Sequence, residues 1–478
     1  MIACAPMPSA HERWLTAYQR WLTPGSRSRR LLFAFGVYVV CAVTYAVVAG
    51  PQRMGEHTQY NHYAHLAHAW LHGRQDLVHG APPYAMGNDF AVFEGKTYIS
   101  FPPFPAVLMV PFVALAGSPE NFRDGQFIVW LAGLSPAVIF LVLEKLRRTG
   151  RSPRTERQNV ALSLLFAFGT VYFFTAVEGF VWFAAHVVGV GLLALYTLFA
   201  LDAEHPLLAG AMLGFAFATR PPILLTAPLF ALEAIRVCTK DGLPTEGSFL
   251  ERAKETWARV DKPALARRYA AFGAPIAAVI LILSWMNYAR FRVWSPSVGH
   301  EYLTVAWAGR IHKWGLFGYH YLAKNLGCLF SMLPWLSPKG TPVAWLPGST
   351  GAPPFQINEH GLALWFTTPI YLWLLWPKER GWLHDATWLS VVGPAVMVLL
   401  YQNSGWRTFG YRFSNDYSVL LFVLLAIGKR PYGKLFGAAA VWSVAWSLFG
   451  AITFDRGDAA HDRYYFREGS QTVMYQPD

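Results

Sequence analysis

The run from Leu31 to Gly50, LLFAFGVYVVCAVTYAVVAG, contains no charged residue. An α-helix needs about 20 such residues to cross the hydrocarbon of a bilayer. Inside lipid a chain must satisfy its own backbone groups, so a run of this kind is helical there. The pattern recurs down the chain. Apolar runs at 127–143, 160–175, 182–201, 207–219, 223–235, 270–286, 362–376, 388–401, 419–427 and 435–452 are separated by polar or basic connectors. A set of soluble domains is excluded. The expectation is an all-α, polytopic integral membrane protein with about 11–13 transmembrane helices. Composition agrees: 14% of residues are charged, against about 25% in an ordinary soluble domain.

Basic residues then set the sidedness. Arg27, Arg29 and Arg30 stand before the first run, and 145–158 and 236–268 are rich in Lys and Arg. Such segments stay in the cytoplasm, so the N-terminus is expected there. The net charge of +12 is thereby accounted for by anionic membrane lipids, and no nucleic-acid partner is implied. One segment needs a decision. Residues 102–117 are apolar but carry Pro102, Pro103, Pro105 and Pro111. If they crossed, the basic loop 145–158 would face outward. A re-entrant or interfacial segment removes the conflict. The domain organisation that follows is a cytoplasmic amphipathic N-terminus (1–30), a membrane domain (31–452) and an outer tail (453–478). The long outer loops are 51–101 and 287–361, each with juxtamembrane helices, and a shorter one covers 403–416. Cys4, Cys41, Cys238 and Cys328 are scattered and imply neither a disulfide framework nor a zinc knuckle.

Loop 51–101 is where the chemistry gathers. It holds Glu56, Asp76, Asp89 and Glu94, with Arg53, Arg74 and Lys96 and several histidines. These residue types serve proton transfer and anion binding. The spacing predicts a helix over 57–73, with His62, His65, His68 and His72 on one face. Tyr63, Leu66, Ala67 and Trp70 form the other, suited to lying on the membrane surface. Gly73 ends it, and Gly80-Ala-Pro-Pro opens an irregular segment. His68 and His72 have zinc spacing, so a divalent metal at His65, His68 and His72 is an alternative to ordinary interfacial histidines. Without it no cofactor is called for. Asp89 follows Gly87-Asn88 and reads equally as a turn residue.

Outside that loop the candidates are fewer. Arg220 sits between two apolar runs beside Pro221-Pro222, a place for anion binding or for snorkelling. Arg412, in Gly410-Tyr411-Arg412-Phe413, reads as an anion binder or as the partner of Asp416. Arg290, Arg292, His300 and Glu301 open the second outer loop and taken singly form an interfacial charge cluster. Tyr302, Trp307, Trp314, Tyr319, Tyr321 and Trp335 could stack on sugars or belong to the aromatic belt.

Several pieces in order resemble one family: YAHLAHAWLHGR (63–74), NDFAVFEGKTYISFPPFPAVLMVPFVALAG (88–117), FGTVYFFTAVEGFVWFAAHV (168–187), LLAGAMLGFAFATRPPILL (207–225) and FGYRFSND (409–416). Together they are similar to the GT-C superfamily of multi-span glycosyltransferases. Protein O-mannosyltransferases, lipid A aminoarabinose transferases and uncharacterised bacterial members belong to it. The resemblance covers most of 31–430. It implies a bacterial inner-membrane enzyme that moves a sugar, with inversion, from a polyprenyl-phosphate donor to a lipid, glycan or protein acceptor at the outer face. It also implies an acidic base in the first outer loop and basic residues on the donor phosphate. Many members carry an Asp-Glu pair before the Tyr of the first loop helix. Here the corresponding positions, near Gln59 and Tyr60, are not acidic. Glu56 and Asp89 remain as candidate bases. Arg220, Arg412, Arg74, Lys96, His300, Glu301 and Tyr411 are the candidate donor and substrate ligands. A lipid-linked-sugar transporter and a non-catalytic lipid-sugar-binding protein are the other readings, though no internal repeat of the transporter kind is present.

Overall fold

The computed structural model describes Gln19 and residues 23–305, 307–336, 353–456 and 463–466. The expected amphipathic N-terminus, residues 337–352 of the second outer loop, most of the tail beyond 456, and Cys4 lie outside the described residues. In chain order the principal helices are α1 (Arg27–Gly55), α2 (His62–Leu71), α3 (Phe104–Ala116), α4 (Asp124–Arg148), α5 (Glu156–Phe168), α6 (Val181–Ala200), α7 (Pro206–Phe217), α8 (Pro228–Cys238), α9 (Lys262–Phe291), α10 (Trp382–Leu399), α11 (Ser418–Ile427) and α12 (Lys434–Thr453). The protein is an all-α polytopic membrane protein. Seven helical stretches among the described residues are long and apolar enough to cross a membrane: α1, α4, α6, α8 with its leading turn, α9, α10 and α12.

Polar ties define two opposite faces. On one, Arg29 grips Glu156 at 2.7 Å, and Lys145 reaches the Leu201 carbonyl and Glu204. Arg151 joins Asp202 and Glu233, Arg154 holds the carbonyls of Leu425 and Arg430, and Lys429 pairs with Glu379. We call this the basic face. On the other, Thr58 binds Asp124 through both its N–H and its hydroxyl, and the Val181 N–H donates to Tyr60. There also Arg53 meets Glu178, the Leu362 N–H donates to the Phe409 carbonyl and the Tyr411 N–H to the Leu362 carbonyl.

Four passages between these faces are not full-length regular helices. They run through α5 and the turn Tyr172–Ala176, through α7, through the 3-10 turn Pro369–Leu375, and through α11. The sequence pattern predicts plain spans there. The breaks fall at Gly169, at Arg220-Pro221, at Thr368-Pro369 and at Asp416. Irregular backbone at membrane depth is tolerated where protein surrounds it, and Phe174, Ile223, Thr368 and Asp416 are all buried.

The Pro-rich segment adds no crossing. The Phe104 N–H donates to the Ala218 carbonyl at the start of α3. Beyond its end, Asn61 donates to the Pro119 carbonyl, and α4 then begins at Asp124 against Thr58. Both ends of α3 therefore lie on the same face as the end of α1. Helix α2 differs from its expectation. Tyr63, Ala64, Leu66 and Ala67 do form one apolar face, but it is buried against α3 and the core and is not turned to lipid. His62 is buried as well and stacks on Phe90 at 4.3 Å. Gly73, in the left-handed region, ends the helix.

Between α2 and α3 the chain makes a hairpin, β1 (Phe90–Phe93) and β2 (Lys96–Ile99), with Phe90 opposite Ile99. Its two-residue loop is Glu94-Gly95, both at positive φ, the turn whose twist matches that of paired strands. The hairpin meets the 287–361 segment. Ala91 bridges to Leu303, and Gly299 lies so close to Ser100 that a methyl group there would be 2.7 Å from the Ser100 carbonyl oxygen. The two long loops thus form one cap.

Candidate functional site

Under that cap lies a cavity of about 730 Å³. Its wall combines the cap (Asn88, Asp89, Phe101, His300, Trp307), the start of α6 (Trp182, His186), the break at Arg220, the end of α9 (Asn287, Arg290) and the 401–413 loop. The basic residues on it are Arg220, Arg290, Arg310, Lys324, Arg407 and Arg412, against the carboxylates of Asp89 and Asp455. Excess positive charge in a concave, partly apolar site favours an anionic ligand.

Asp89 is placed by backbone geometry. Met86, Gly87 and Asp89 all have positive φ, so the chain turns sharply into β1 and points this carboxylate inward. Ser100 donates its hydroxyl to the Asp89 carbonyl at 2.9 Å and locks the turn to β2. The Trp182 indole N–H donates to the carboxylate at 2.8 Å. Asp89 lies deep in the protein yet faces the cavity. Burial pushes its carboxyl up to about 6, against the lowering pull of the Trp182 N–H and of the Arg412 charge. That value suits a general base near neutral pH.

Arg412 and Arg220 stand close together but are not equivalent. Arg220 gives its Nε and Nη2 to Asp416 at 3.0 and 2.6 Å, a bidentate fork. Arg412 has no carboxylate partner among the described residues. Its Nη1 donates to the Arg407 carbonyl at 3.1 Å, its Nε has no acceptor, and its guanidinium lies over the Phe183 ring at 4.9 Å. It is 6% exposed. Burial, then repulsion by Arg220, brings its pKa down to about 9. A desolvated cation short of acceptors is costly unless an anion joins it. The alternative partner expected for Arg412 from sequence, Asp416, belongs instead to Arg220.

Of the candidate bases and ligands named from the sequence, the structure brings Asp89, Arg220, His300 and Arg412 to one wall, which Arg290 and Trp307 also line. Burial, with a smaller push from Arg220, lowers His300 to about 4, so its imidazole is neutral. The others lie elsewhere. Glu56 caps α1 and is exposed, off the cavity wall. Arg74 pairs with Asp76 at 2.5 Å in the turn after α2. Lys96 is exposed at the hairpin tip, and Glu301 is exposed in the turn beside His300. Tyr411 is buried behind the wall. The three histidines of the metal alternative do not converge: His65 meets the Tyr84 hydroxyl at 2.7 Å, while the His68 and His72 rings lie 4.3 Å apart, tilted by 51°. Among the described residues no group of three or more His, Cys, Asp or Glu could hold a metal.

Sequence reasoning missed Trp182 as the holder of Asp89 and ranked Arg290 as surface charge. The first stands in the segment 168–187 without any signal of contact with Asp89. Arg290 had a signal: counted back along α9, Asn287, Met286 and Leu283 share its face, so it belongs to an inward stripe.

No protein-family model and no curated protein matches the sequence. Among solved structures, the chain is similar to the archaeal oligosaccharyltransferase AglB from Archaeoglobus fulgidus in complex with an inhibitory peptide and a dolichol-phosphate. That match has 12% identity and a TM-score of 0.43 over 88% of this chain and 56% of that one. The oligosaccharyltransferase of the same organism in its apo form matches with 14% identity and a TM-score of 0.40, over 93% of this chain and 60% of that one. The chain therefore spans less than two thirds of the length of these proteins.

Proposed function

We propose that this protein is a membrane glycosyltransferase that takes a sugar from a polyprenyl-phosphate donor. The acceptor is a lipid, glycan or protein hydroxyl at the face opposite the basic loops. The observation that carries the reading is the pairing, in one cavity, of a desolvated carboxylate with an uncompensated arginine, Asp89 with Arg412. Asp89 takes the proton of the acceptor hydroxyl. The acceptor oxygen bonds to the anomeric carbon as the bond from that carbon to the donor phosphate breaks, which inverts the centre. The phosphate leaves with the electron pair and is met by the Arg412 guanidinium. Such a leaving group is already a stabilised anion, so fixed positive charge aids departure without a strong acid. Arg220, engaged by Asp416, does not act as a free clamp. His300 and the aromatic wall shape the sugar site. Basic residues on the other face support a cytoplasmic N-terminus and an outward-facing cavity in a bacterial inner membrane.

The test uses purified protein in liposomes with a sugar-charged polyprenyl phosphate, and reads free polyprenyl phosphate released. Asp89→Asn keeps the shape and the Trp182 contact but loses basicity. Its turnover should fall by about 10²–10⁴-fold, the usual loss for a catalytic base. Glu56→Gln should turn over like the parent. A dead Glu56→Gln beside an active Asp89→Asn would reverse the assignment. Activity of both variants at the parental rate would mean that neither carboxylate is the base, and a parent without turnover would favour a binding protein.

A further inference from the structure

Arg290 is the second buried arginine on the cavity wall that lacks a counter-charge. It lies on the last turn of α9 and is 3% exposed. Its Nε donates to the Gln75 side chain at 3.3 Å and its Nη1 to the Ile99 carbonyl at 3.5 Å, both long, and Nη2 has no acceptor. No ion pair among the described residues includes it. Asp76, the chain neighbour of Gln75, is taken by Arg74. Gln75 is itself shared, because Trp70 also donates to it. This guanidinium is therefore as short of acceptors as that of Arg412, and in a different part of the cavity. Arg412 is held by Arg407 and Phe183, and no residue that holds it also holds Arg290.

The surroundings of the two arginines differ in kind. Below Arg290 on the same face of α9 lie Met286 and Leu283, both on the cavity wall. Leu283 and Met286 pack with Ala218, Phe104 and Phe217 in one apolar cluster, and Pro102, Pro103, Pro221 and Pro222 also line the cavity. Helix α9 is mostly uncovered by protein, with Leu281, Ile282 and Trp285 exposed. Arg290 thus stands at the head of an apolar stripe, whereas Asp89 and Arg412 are flanked by Trp182 and Phe183.

We propose that Arg290 is a second anion-binding position, which takes a phosphate group at the head of an apolar chain, distinct from the group that Arg412 meets. It rests on the reading that the cavity takes a lipid-linked phosphate, and it makes that reading narrower: two separate anionic groups occupy the cavity at once. One source of the second phosphate is the donor itself, if its sugar is linked through a diphosphate. The phosphate nearer the lipid then sits at Arg290 and the one bonded to the sugar at Arg412. The other source is a phosphate on a lipid acceptor.

The experiment measures binding of geranylgeranyl monophosphate and diphosphate to the purified full chain in detergent, and separately the acceptor KM in the turnover assay. The variants are Arg290→Gln, Arg290→Lys and Arg412→Gln, each checked for parental thermal stability. With a diphosphate donor, the parent binds the diphosphate at least tenfold tighter than the monophosphate. Arg290→Gln then abolishes that preference, and Arg290→Lys restores part of it, since lysine returns charge without the planar fork. With a phosphorylated acceptor, Arg290→Gln leaves both prenyl phosphates bound as in the parent and raises the acceptor KM tenfold or more, with kcat little changed. Arg412→Gln weakens both prenyl phosphates in either case. Unchanged prenyl-phosphate binding together with an unchanged acceptor KM in Arg290→Gln overturns the inference while the proposed function stands. A parent that binds neither prenyl phosphate overturns both.

Discussion

At the scale of single residues, the site depends on which charges are compensated. Asp416 and Arg220 neutralise each other through two hydrogen bonds, and Arg412 is left to act on Asp89. A pH prediction follows. The Asp89 carboxyl is raised by burial to about 6, so it is a base above that pH and a protonated acid below it. Turnover per enzyme should fall about tenfold for each pH unit below 6, because a single essential carboxylate is being titrated. The Arg412 charge lowers the Asp89 pKa. Arg412→Gln should therefore move the acid limb of the kcat/KM profile to higher pH, besides lowering its plateau. A role confined to folding would leave the limb where it was, so an unmoved limb with a lowered plateau counts against this coupling. Sequence showed the residue types but not this division of labour. Arg412 and Asp416 are four apart and read as a pair, whereas the fold gives Asp416 to the guanidinium of Arg220, distant in the chain. Likewise sequence favours Glu56 as the base over Asp89, which also reads as a turn residue, because the turn at Met86–Asp89 and the Trp182 contact that separate an inward carboxylate from an exposed one are not legible there.

At the scale of elements, the cavity depends on close helix contacts as much as on the cap. Helix α7, which delivers Arg220, crosses α9, which delivers Arg290, through Gly210 and Gly214. A methyl group at Gly210 would lie 2.0 Å from the Phe272 carbonyl oxygen and 2.8 Å from Pro275. Small residues at such a crossing let two backbones approach within the membrane. Gly210→Ala must push the helices apart, at a cost of about 1–3 kcal/mol as for other overpacked interiors. Its melting temperature in detergent should fall, and donor binding should weaken because both arginines shift. Gly273→Ala, on the same α9 but with open space around it, should match the parent, and equal melting of the two variants would refute the contact. The long spans and the helix after residue 57 were legible from periodicity. So was the non-crossing of the Pro-rich segment, since charge distribution and proline content both pointed that way. The hairpin was not recognised, although Glu94-Gly95 flanked by alternating Phe, Val, Thr and Tyr carries a turn signal. Its strands are only four residues long and sit between two helical patterns, so periodicity alone has too little length to register. The burial of the α2 apolar face was equally hidden. An amphipathic face says that something covers it, lipid or protein, and only the position of α3 decides between them.

At the scale of the whole molecule, the ties that close each face determine how the chain is threaded. The end of α1 and the start of α4 are joined by Thr58 and Asp124, and the start of α1 and the start of α5 by Arg29 and Glu156. Helices α1 and α4 thus run antiparallel between the same two faces, and α3 between them begins and ends on one side. This parity makes a definite prediction. Cysteines at Lys96 on the hairpin tip, at Arg148 at the end of α4 and at Lys254 in the basic connector are all at exposed positions. Cys41, Cys238 and Cys328 are buried and give a low background. In intact spheroplasts, a membrane-impermeant maleimide should label Lys96→Cys at once. It should reach Arg148→Cys and Lys254→Cys only after the membrane is opened. The reasoning is that one crossing, α4, separates positions 96 and 148, while two crossings through α3 and α4 would return the chain to the starting side. Labelling of both 96 and 148 from outside would mean that α3 spans. The basic loop would then face outward, and the cap, the cavity and the Thr58–Asp124 tie could not share one face. Labelling of Lys254 without Lys96 would invert the whole molecule and put the Asp89 cavity in the cytoplasm, where an acceptor outside the cell could not reach it.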